Sequence, residues 1–385
     1  MSLISTTAGL ERFCRSLAGA RFITVDTEFI REKTYWPQLC LVQICGPGAT
    51  AAIDPLAPGM DLSSLFTVMR DSSILKVFHA ARQDVEIFLH LMGDVPLPLF
   101  DTQVAAMVCG FGDSVGYETL VGKLAGARLD KSSRFTDWAS RPLTDRQLSY
   151  ALADVTHLRI IYEKLCRQIA QSGRASWLEE ELRLLSDPAT YIVEPEQAWT
   201  RLKARVNRPP FRSILREIAA WRERDAQARD VPRSRIIRDE ALLEIAAHAP
   251  TTVDGLARIR TVGRGFAEGR QGEELLAAIE RGLRASEVQG GVEEPVVGDS
   301  PSLGVGSIID LLRVLLKKKS EDHDVAPRLI ASTDDLEAIV LNDEAPVPAL
   351  SGWRREIFGE DALALKHGRI ALTISDRQLK LTSIE

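Results

Sequence analysis

At 385 residues the chain is too long for one ordinary domain, so two or three are expected. Its 45% hydrophobic and 26% charged residues describe a folded, soluble protein and exclude a disordered chain. A formal charge of −6 excludes a uniformly basic nucleic-acid binder, so charge must be read locally.

No apolar run reaches membrane-spanning length, so no membrane partner is expected. The opening Met1–Thr7 lacks the basic and apolar parts of a signal peptide. Cys14, Cys40, Cys45, Cys109 and Cys166 are odd in number, and no pair has the C-x₂-C spacing of a zinc site. Most sit in apolar runs, as free thiols do in a reducing compartment, and a cytoplasmic protein is expected.

In chain order, Leu10, Phe13 and Leu17 mark a helix over 7–18. The run Phe22-Ile-Thr-Val-Asp26-Thr-Glu28-Phe29 reads as a strand carrying two carboxylates. At i and i+2, Asp26 and Glu28 share one face, about 7 Å apart along the strand. Like charges so placed raise each other's pKa unless a cation lies between them, and hard oxygen ligands suit Mg²⁺ or Mn²⁺. The bland alternative is an edge strand with a solvated face.

A polar-aromatic loop follows at 31–37. Strands are then expected at Leu39–Cys45 and Ala51–Asp54, a helix at 61–70 and a buried strand at Leu75–Phe78. The short connections from Asp26 onward suggest an antiparallel meander. From Arg82 the pattern is helical, which puts Asp84 at a helix start just after a strand, where sites form in open α/β sheets. A first-turn acid favoured by the helix dipole would look the same. Further helices are expected over Asp101–Cys109 and Tyr117–Leu124, and a polar loop over Lys131–Trp138. Thr144-Asp-Arg-Gln147 is a capping signal opening a helix to about Cys166. On it Tyr150 and Asp154 are spaced i, i+4 and share a face.

Taken together, Asp26-x-Glu28, Asp84 after His79-x-x-x-Gln83, and Tyr150-x-x-x-Asp154 resemble the three motifs of the DEDD superfamily of 3′→5′ exonucleases. Ser149 stands where the other branch has histidine, and Tyr150 marks the tyrosine branch. Tyr35-Trp36-Pro37-Gln38-Leu39-x-Leu41-x-Gln43, Phe100-Asp101-Thr102 and Lys131–Trp138 followed by Arg141-Pro142-Leu143 are similar to the bacterial ribonuclease D family.

The resemblance implies an exonuclease domain over 1–200 with a ribonuclease H-like mixed sheet and flanking helices. It implies two divalent ions per site, Mg²⁺ or Mn²⁺, and no organic cofactor. Asp26, Glu28 and Asp154 would hold the ion that activates water. Asp26 would bridge to the second ion, with Asp84 supporting that ion directly or through water. Tyr150 would orient the attacking water. Phe29, Tyr35 and Trp36, just past the first motif, and Gln83 would contact the terminal nucleotides, although packing roles for Tyr35 and Trp36 fit equally well. Gln83 and His79 could equally brace the site.

Beyond about residue 170 strand signals fade. Arg201–Arg238 holds 12 Lys/Arg against 4 Asp/Glu, the one strongly basic region. It reads either as an ion-paired solvated face or as a phosphate-contacting surface, with Arg233 and Arg235 candidates for RNA contact. Helical patterns at Ile214–Trp221, Ile236–Ala247 and Glu273–Leu283, with a Gly263-Arg-Gly265 turn, resemble the HRDC helical domain, placed at 205–285.

Residues 286–303 read as a Gly-, Pro- and acid-rich linker. Residues 304–385 then echo the module before them. Asp324-Val-Ala-Pro-Arg328 repeats Asp230-Val-Pro-Arg233, and helices are expected at Ile308–Leu316 and from Thr333. This is read as a second, diverged HRDC-like domain, so that two all-α modules follow the α/β domain. Two strand-like runs at 370–374 and 379–382 depart from the helical template.

The functional expectation is a monomeric exoribonuclease that releases 5′-mononucleotides from RNA, above all from tRNA precursors with a free 3′ end. A DNA 3′→5′ exonuclease and a non-catalytic RNA-binding protein are the rivals. Four clustered carboxylates argue against the second.

Overall fold

The computed structural model describes residues 2–129, 136–202, 209–288 and 305–384. The first elements are β1 (Ser2–Ile4), α1 (Thr7–Ser16), β2 (Phe22–Ile30), β3 (Gln38–Cys45), β4 (Thr50–Ile53), α2 (Ser63–Arg70) and β5 (Leu75–Phe78). Then come α3 (Arg82–Met92), β6 (Leu99–Asp101), α4 (Thr102–Val108), α5 (Tyr117–Leu120), α6 (Asp145–Ser172) and α7 (Ala175–Ser186). The helical region holds α8 (Pro209–Arg229), α9 (Arg233–Ile236), α10 (Asp239–His248), α11 (Val253–Ala257), α12 (Arg264–Ala267) and α13 (Arg270–Val288). The chain ends with α14 (Val305–His323), α15 (Pro327–Ile330), α16 (Thr333–Leu341), α17 (Gly352–Arg354), α18 (Glu360–Lys366) and a hairpin of β7 (Ile370–Ser375) and β8 (Gln378–Ser383). Among the described residues no helix is long and apolar enough to cross a membrane.

Six strands form a mixed sheet in the order β1-β4-β3-β2-β5-β6. β3 and β4 are antiparallel, whereas β1–β4, β2–β5 and β5–β6 are parallel. The carboxylate-bearing β2 is thus interior, flanked on both sides, and not the solvated edge that was the alternative. Its Ile23 and Val25 are fully buried, as are Leu41, Ile44, Ile53 and Val77 on neighbouring strands. β1 and β6 were not expected, because three residues are too few to display a period of two. α6 starts where the capping box Thr144/Gln147 predicts but runs on to Ser172, past Cys166, and stops at Gly173 (φ 70°), whose left-handed backbone ends it.

Two compact units are present. One comprises residues 1–28, 39–190 and 300–385; the other comprises 29–38 and 191–299. The C-terminal helices therefore group with the sheet, and the loop after β2 groups with the first helical module. α13 continues to Val288, so residues 286–288 are helical and not linker; the rest of that expected linker, 289–303, lies outside the described residues.

In the first unit the apolar core is continuous from α4 (Ala105, Val108) and α6 (Leu158, Ile161) to α14 (Leu312) and Phe358. Polar groups lock the same contact. The Arg354 guanidinium, 6% exposed as a residue, donates to the Leu329 carbonyl (2.6 Å), to Glu180 (2.7 Å) and to Glu181. Arg174 donates to the carbonyls of Val108 and Asp324, both at 2.9 Å, and to that of His323. Gly110, at φ 78°, meets Asp324 so closely that a Cβ there would stand 2.2 Å from its carboxylate.

The sequence echo has a backbone counterpart. Asp230 and Asp324 both adopt positive φ, 49° and 45°, and the next amide of each turns back to the carbonyl five residues earlier, Ala226 and Ser320. A one-turn helix and then a longer one follow in each copy, α9–α10 and α15–α16. The single helix expected over Ile236–Ala247 is instead broken by extended Ile237 (φ −160°), and Arg238 caps a new start.

Candidate active site

Three carboxylates converge. Asp26 and Glu28 from β2 and Asp154 from α6 each present an oxygen, and these oxygens all lie within 4.8 Å of one another. The alternation of β2 puts the first two on one face. The third is placed by a cross-link: Thr24, two residues before Asp26, donates its hydroxyl to the Val155 carbonyl at 2.7 Å. On the same stretch of α6, Tyr117 donates its hydroxyl to the Asp154 backbone carbonyl.

Asp84 stands outside that group of three. It is 7% exposed on the first turn of α3, and its Oδ1 accepts from the Thr27 hydroxyl, one residue after Asp26. Asp101 builds the turn that delivers it. Its carboxylate accepts from the backbone N–H groups of Ala80 (3.0 Å), Ala81 (2.8 Å) and Gln103 (2.7 Å). His79 faces Thr102 across 3.1 Å and packs on Tyr117, with ring centroids 5.2 Å apart. It braces the turn from behind.

Burial raises all four carboxyls, and their mutual repulsion adds to this for Asp26, Glu28 and Asp84. Asp26 is pushed up to about 8, with Asp154 the neighbour that adds most. Glu28 reaches about 9, raised further by Asp26, Asp154 and Asp84. Asp154 reaches about 7, held down in part by a hydrogen bond from the Tyr150 side chain. Asp84 lies well above the usual carboxylate range, and Asp26 is its main charged neighbour. Asp154 Oδ1 is buried with no hydrogen-bond partner. Clustered hard oxygens, raised pKa values and an unpaired carboxylate oxygen are what a divalent cation would neutralise, so the donor set fits Mg²⁺ or Mn²⁺.

The expected substrate contacts divide. Gln83 is exposed on the first turn of α3, beside Asp84, and Phe29 is half-buried near the end of β2. Tyr35 is corrected. It is 3% exposed in the core of the helical module, where its hydroxyl contacts Glu223, Gln227 (3.1 Å) and Arg233 (3.0 Å). Burial removes its ring from any base. Arg233 is tied to the same cluster, since its Nε and Nη2 both bond the fully buried Glu223 at 2.6 Å, while its side chain is 33% exposed. Trp36 packs partly buried on the same core, edge-on to Tyr35, and its amide is held by Asp230. Arg235 is exposed. Of the loop expected at 131–138, residues 131–135 lie outside the described residues.

Sequence reasoning missed Thr24, Thr27 and Tyr117. The signal available for Thr24 was its place two residues before Asp26 on the same strand face. Nothing local marked the other two.

A 3′-5′ exonuclease family model matches residues 1–170, and an HRDC domain model matches 211–279. Ribonuclease D of Granulibacter bethesdensis is 50% identical over 382 residues, covering 99% of this chain and 96% of the relative. Ribonuclease D of Gluconacetobacter diazotrophicus is 49% identical over 378 residues, covering 98% and 96%. Among solved structures, the Escherichia coli RNase D, described as an exoribonuclease involved in structured RNA processing, superposes with a TM-score of 0.82 at 32% identity, covering 95% of this chain and 99% of that one.

Proposed function

The chain belongs to the ribonuclease D family of 3′→5′ exoribonucleases, and from that premise we propose that it trims the 3′ ends of tRNA precursors and other structured RNAs, one 5′-mononucleotide at a time. Family membership sets aside the DNA exonuclease and the non-catalytic binder. The observation that carries the site assignment is the convergence of Asp26, Glu28 and Asp154 around an unpaired Asp154 oxygen, with the Tyr150 side chain bonded to the same carboxyl.

In this reading Asp26, Glu28 and Asp154 would hold one divalent ion, and Asp26 and Asp84 would serve a second. When bound, two such ions supply Lewis acidity and offset the charge that develops on the scissile phosphate. Tyr150, anchored on Asp154, orients the attacking water by hydrogen bonding. A free phenol near pKa ~10 is a poor base at neutral pH, so its part is positioning. Thr27 fixes the Asp84 rotamer. Gln83 and Phe29 are the remaining candidates for contact with the terminal nucleotides.

The test is product analysis on an end-labelled tRNA precursor with a 3′ extension, alongside an unstructured RNA of equal length, in Mg²⁺ and in Mn²⁺. Stepwise shortening to 5′-mononucleotides is expected, lost in Asp26→Ala and Asp84→Asn with RNA binding retained. Wild-type turnover by Asp84→Asn would remove that residue from the site. Equal trimming of both RNAs would remove the structured substrate.

A further inference from the structure

Arg141 lies three residues after Trp138 and three before the Thr144 cap of α6. All five of its guanidinium N–H donors are used. Nε and Nη2 grip the Asp54 carboxylate in a fork at 2.8 and 2.7 Å. Nη1 donates to the carbonyls of Trp138 (2.7 Å) and Ser140 (2.9 Å), and Nη2 donates also to that of Cys40 (2.7 Å). Asp54, 4% exposed, closes β4, and Cys40 is on β3. Arg141 therefore ties the segment leading into α6 to two strands of the sheet. Asp137 makes that segment a compact turn by accepting from the Ala139 amide (3.0 Å) and the Ser140 hydroxyl (2.8 Å).

What the clamp holds is Trp138. Its indole is 4% exposed and lies against the Tyr150 ring, with centroids 6.3 Å apart and planes 31° from parallel. Tyr150 is on the second turn of α6, one turn before Asp154. An arginine beside a nuclease site is ordinarily read as a phosphate anchor. Here no donor remains for a phosphate.

We propose that Arg141 is a positioning residue: through Asp54, Cys40 and the Trp138 carbonyl it seats the Trp138 indole against Tyr150 and so fixes where the Tyr150 hydroxyl stands over Asp154. This rests on the catalytic reading of Tyr150 given above. Lysine cannot replace it, because one ammonium cannot span a planar fork and three carbonyls at once.

A double-mutant cycle on the full-length protein, with kcat and KM measured on a 3′-labelled RNA, tests this. Arg141→Lys lowers kcat, by on the order of 10²-fold where the hydroxyl shifts by about an ångström. KM and its salt dependence stay as in wild type, since no phosphate contact is lost. In a Tyr150→Phe background the same substitution costs less than about 2-fold, because the group it positions is already gone. Trp138→Phe leaves the clamp intact and repeats this behaviour, which covers the case in which Arg141→Lys folds poorly.

Full additivity of Arg141→Lys and Trp138→Phe with Tyr150→Phe would overturn the proposal. So would a raised KM with a shallower salt slope, which would mark Arg141 as an RNA contact. Tyr150→Phe that is itself as fast as wild type would instead overturn the role given to Tyr150, and is read from the same cycle.

Discussion

Trp353 stacks on Trp177, with ring centroids 4.4 Å apart and planes 11° from parallel. One ring belongs to the C-terminal helices and the other to α7, directly after the helix that carries Tyr150 and Asp154. Beside them Arg354 meets Glu180 and Glu181, and Glu181 is 9% exposed. Truncating one partner of a buried ion pair leaves a charge uncompensated, at about 3–5 kcal/mol. Arg354→Ala is therefore expected to lower stability by about that amount in urea unfolding. Because the apolar core of the first unit is shared, loss of the C-terminal helices should coincide with loss of nuclease activity. Nuclease activity that survives loss of the Trp177–Trp353 stack would show the C-terminal helices melting on their own.

Removing the cation has a definite pH signature. Asp26, Glu28 and Asp154 carry raised pKa values in the folded chain, about 8, 9 and 7, against about 4 when unfolded. Between those limits the folded state binds more protons than the unfolded one, so stability of the metal-free protein falls as pH rises. The slope approaches about 1.4 kcal/mol per pH unit for each group still protonated in the fold. In chelator, the melting temperature should drop from pH 6.5 to 8. Saturating Mg²⁺ or Mn²⁺ should flatten that drop, and Asp154→Asn should raise the metal-free melting temperature at pH 8 while abolishing turnover. A metal-free protein that gains stability over this interval would contradict the cluster.

The sequence made the candidate site residues legible because each sits in a local pattern. Asp26 and Glu28 obey the strand period, Tyr150 and Asp154 obey the helix period, and Asp84 follows a strand-to-helix switch. Their supports do not. Thr24 reaches Val155 across 131 positions and Thr27 reaches Asp84 across 57, and neither pairing leaves a periodic trace. The attachment of the C-terminal helices to α4 and α7 was illegible for the same reason, since Arg174 and Arg354 find their partners 149 to 174 positions away. Tyr35 stayed open between base stacking and packing because an aromatic in a polar loop fits either. What decides for packing is Glu223, buried and 188 positions downstream.

Tyr35→Phe separates the two readings of that side chain. Stacking needs only the ring, so under that reading the substitution is silent. The structure gives the hydroxyl three polar neighbours, and Glu223 next to it is fully buried. Losing a buried hydrogen bond to a charged group costs about 1.5–3 kcal/mol. Thermal unfolding should show this loss with RNA affinity unchanged. Unaltered stability in Tyr35→Phe would return the residue to the list of RNA contacts.

His79 supplies the acid limb of the stability profile. Burial pulls it down to about 4 from an ordinary value near 6.5, opposed only weakly by a bond to the Val115 backbone. Because the unfolded chain takes up a proton at higher pH than the folded one, the contribution is complete above about pH 6.5 and is lost as pH falls through the interval to 4. Full conversion of that shift would exceed 3 kcal/mol, but the ring is partly exposed, and about 2 kcal/mol is the expected loss. The check is the difference in unfolding free energy between wild type and His79→Asn at pH 5 and pH 7. Asparagine cannot charge, so the wild-type protein should lose more stability than the variant on acidification. Equal losses in both would mean that His79 titrates as freely in the folded chain as in the unfolded one, and that its packing on Tyr117 and Thr102 does not exclude water from the ring.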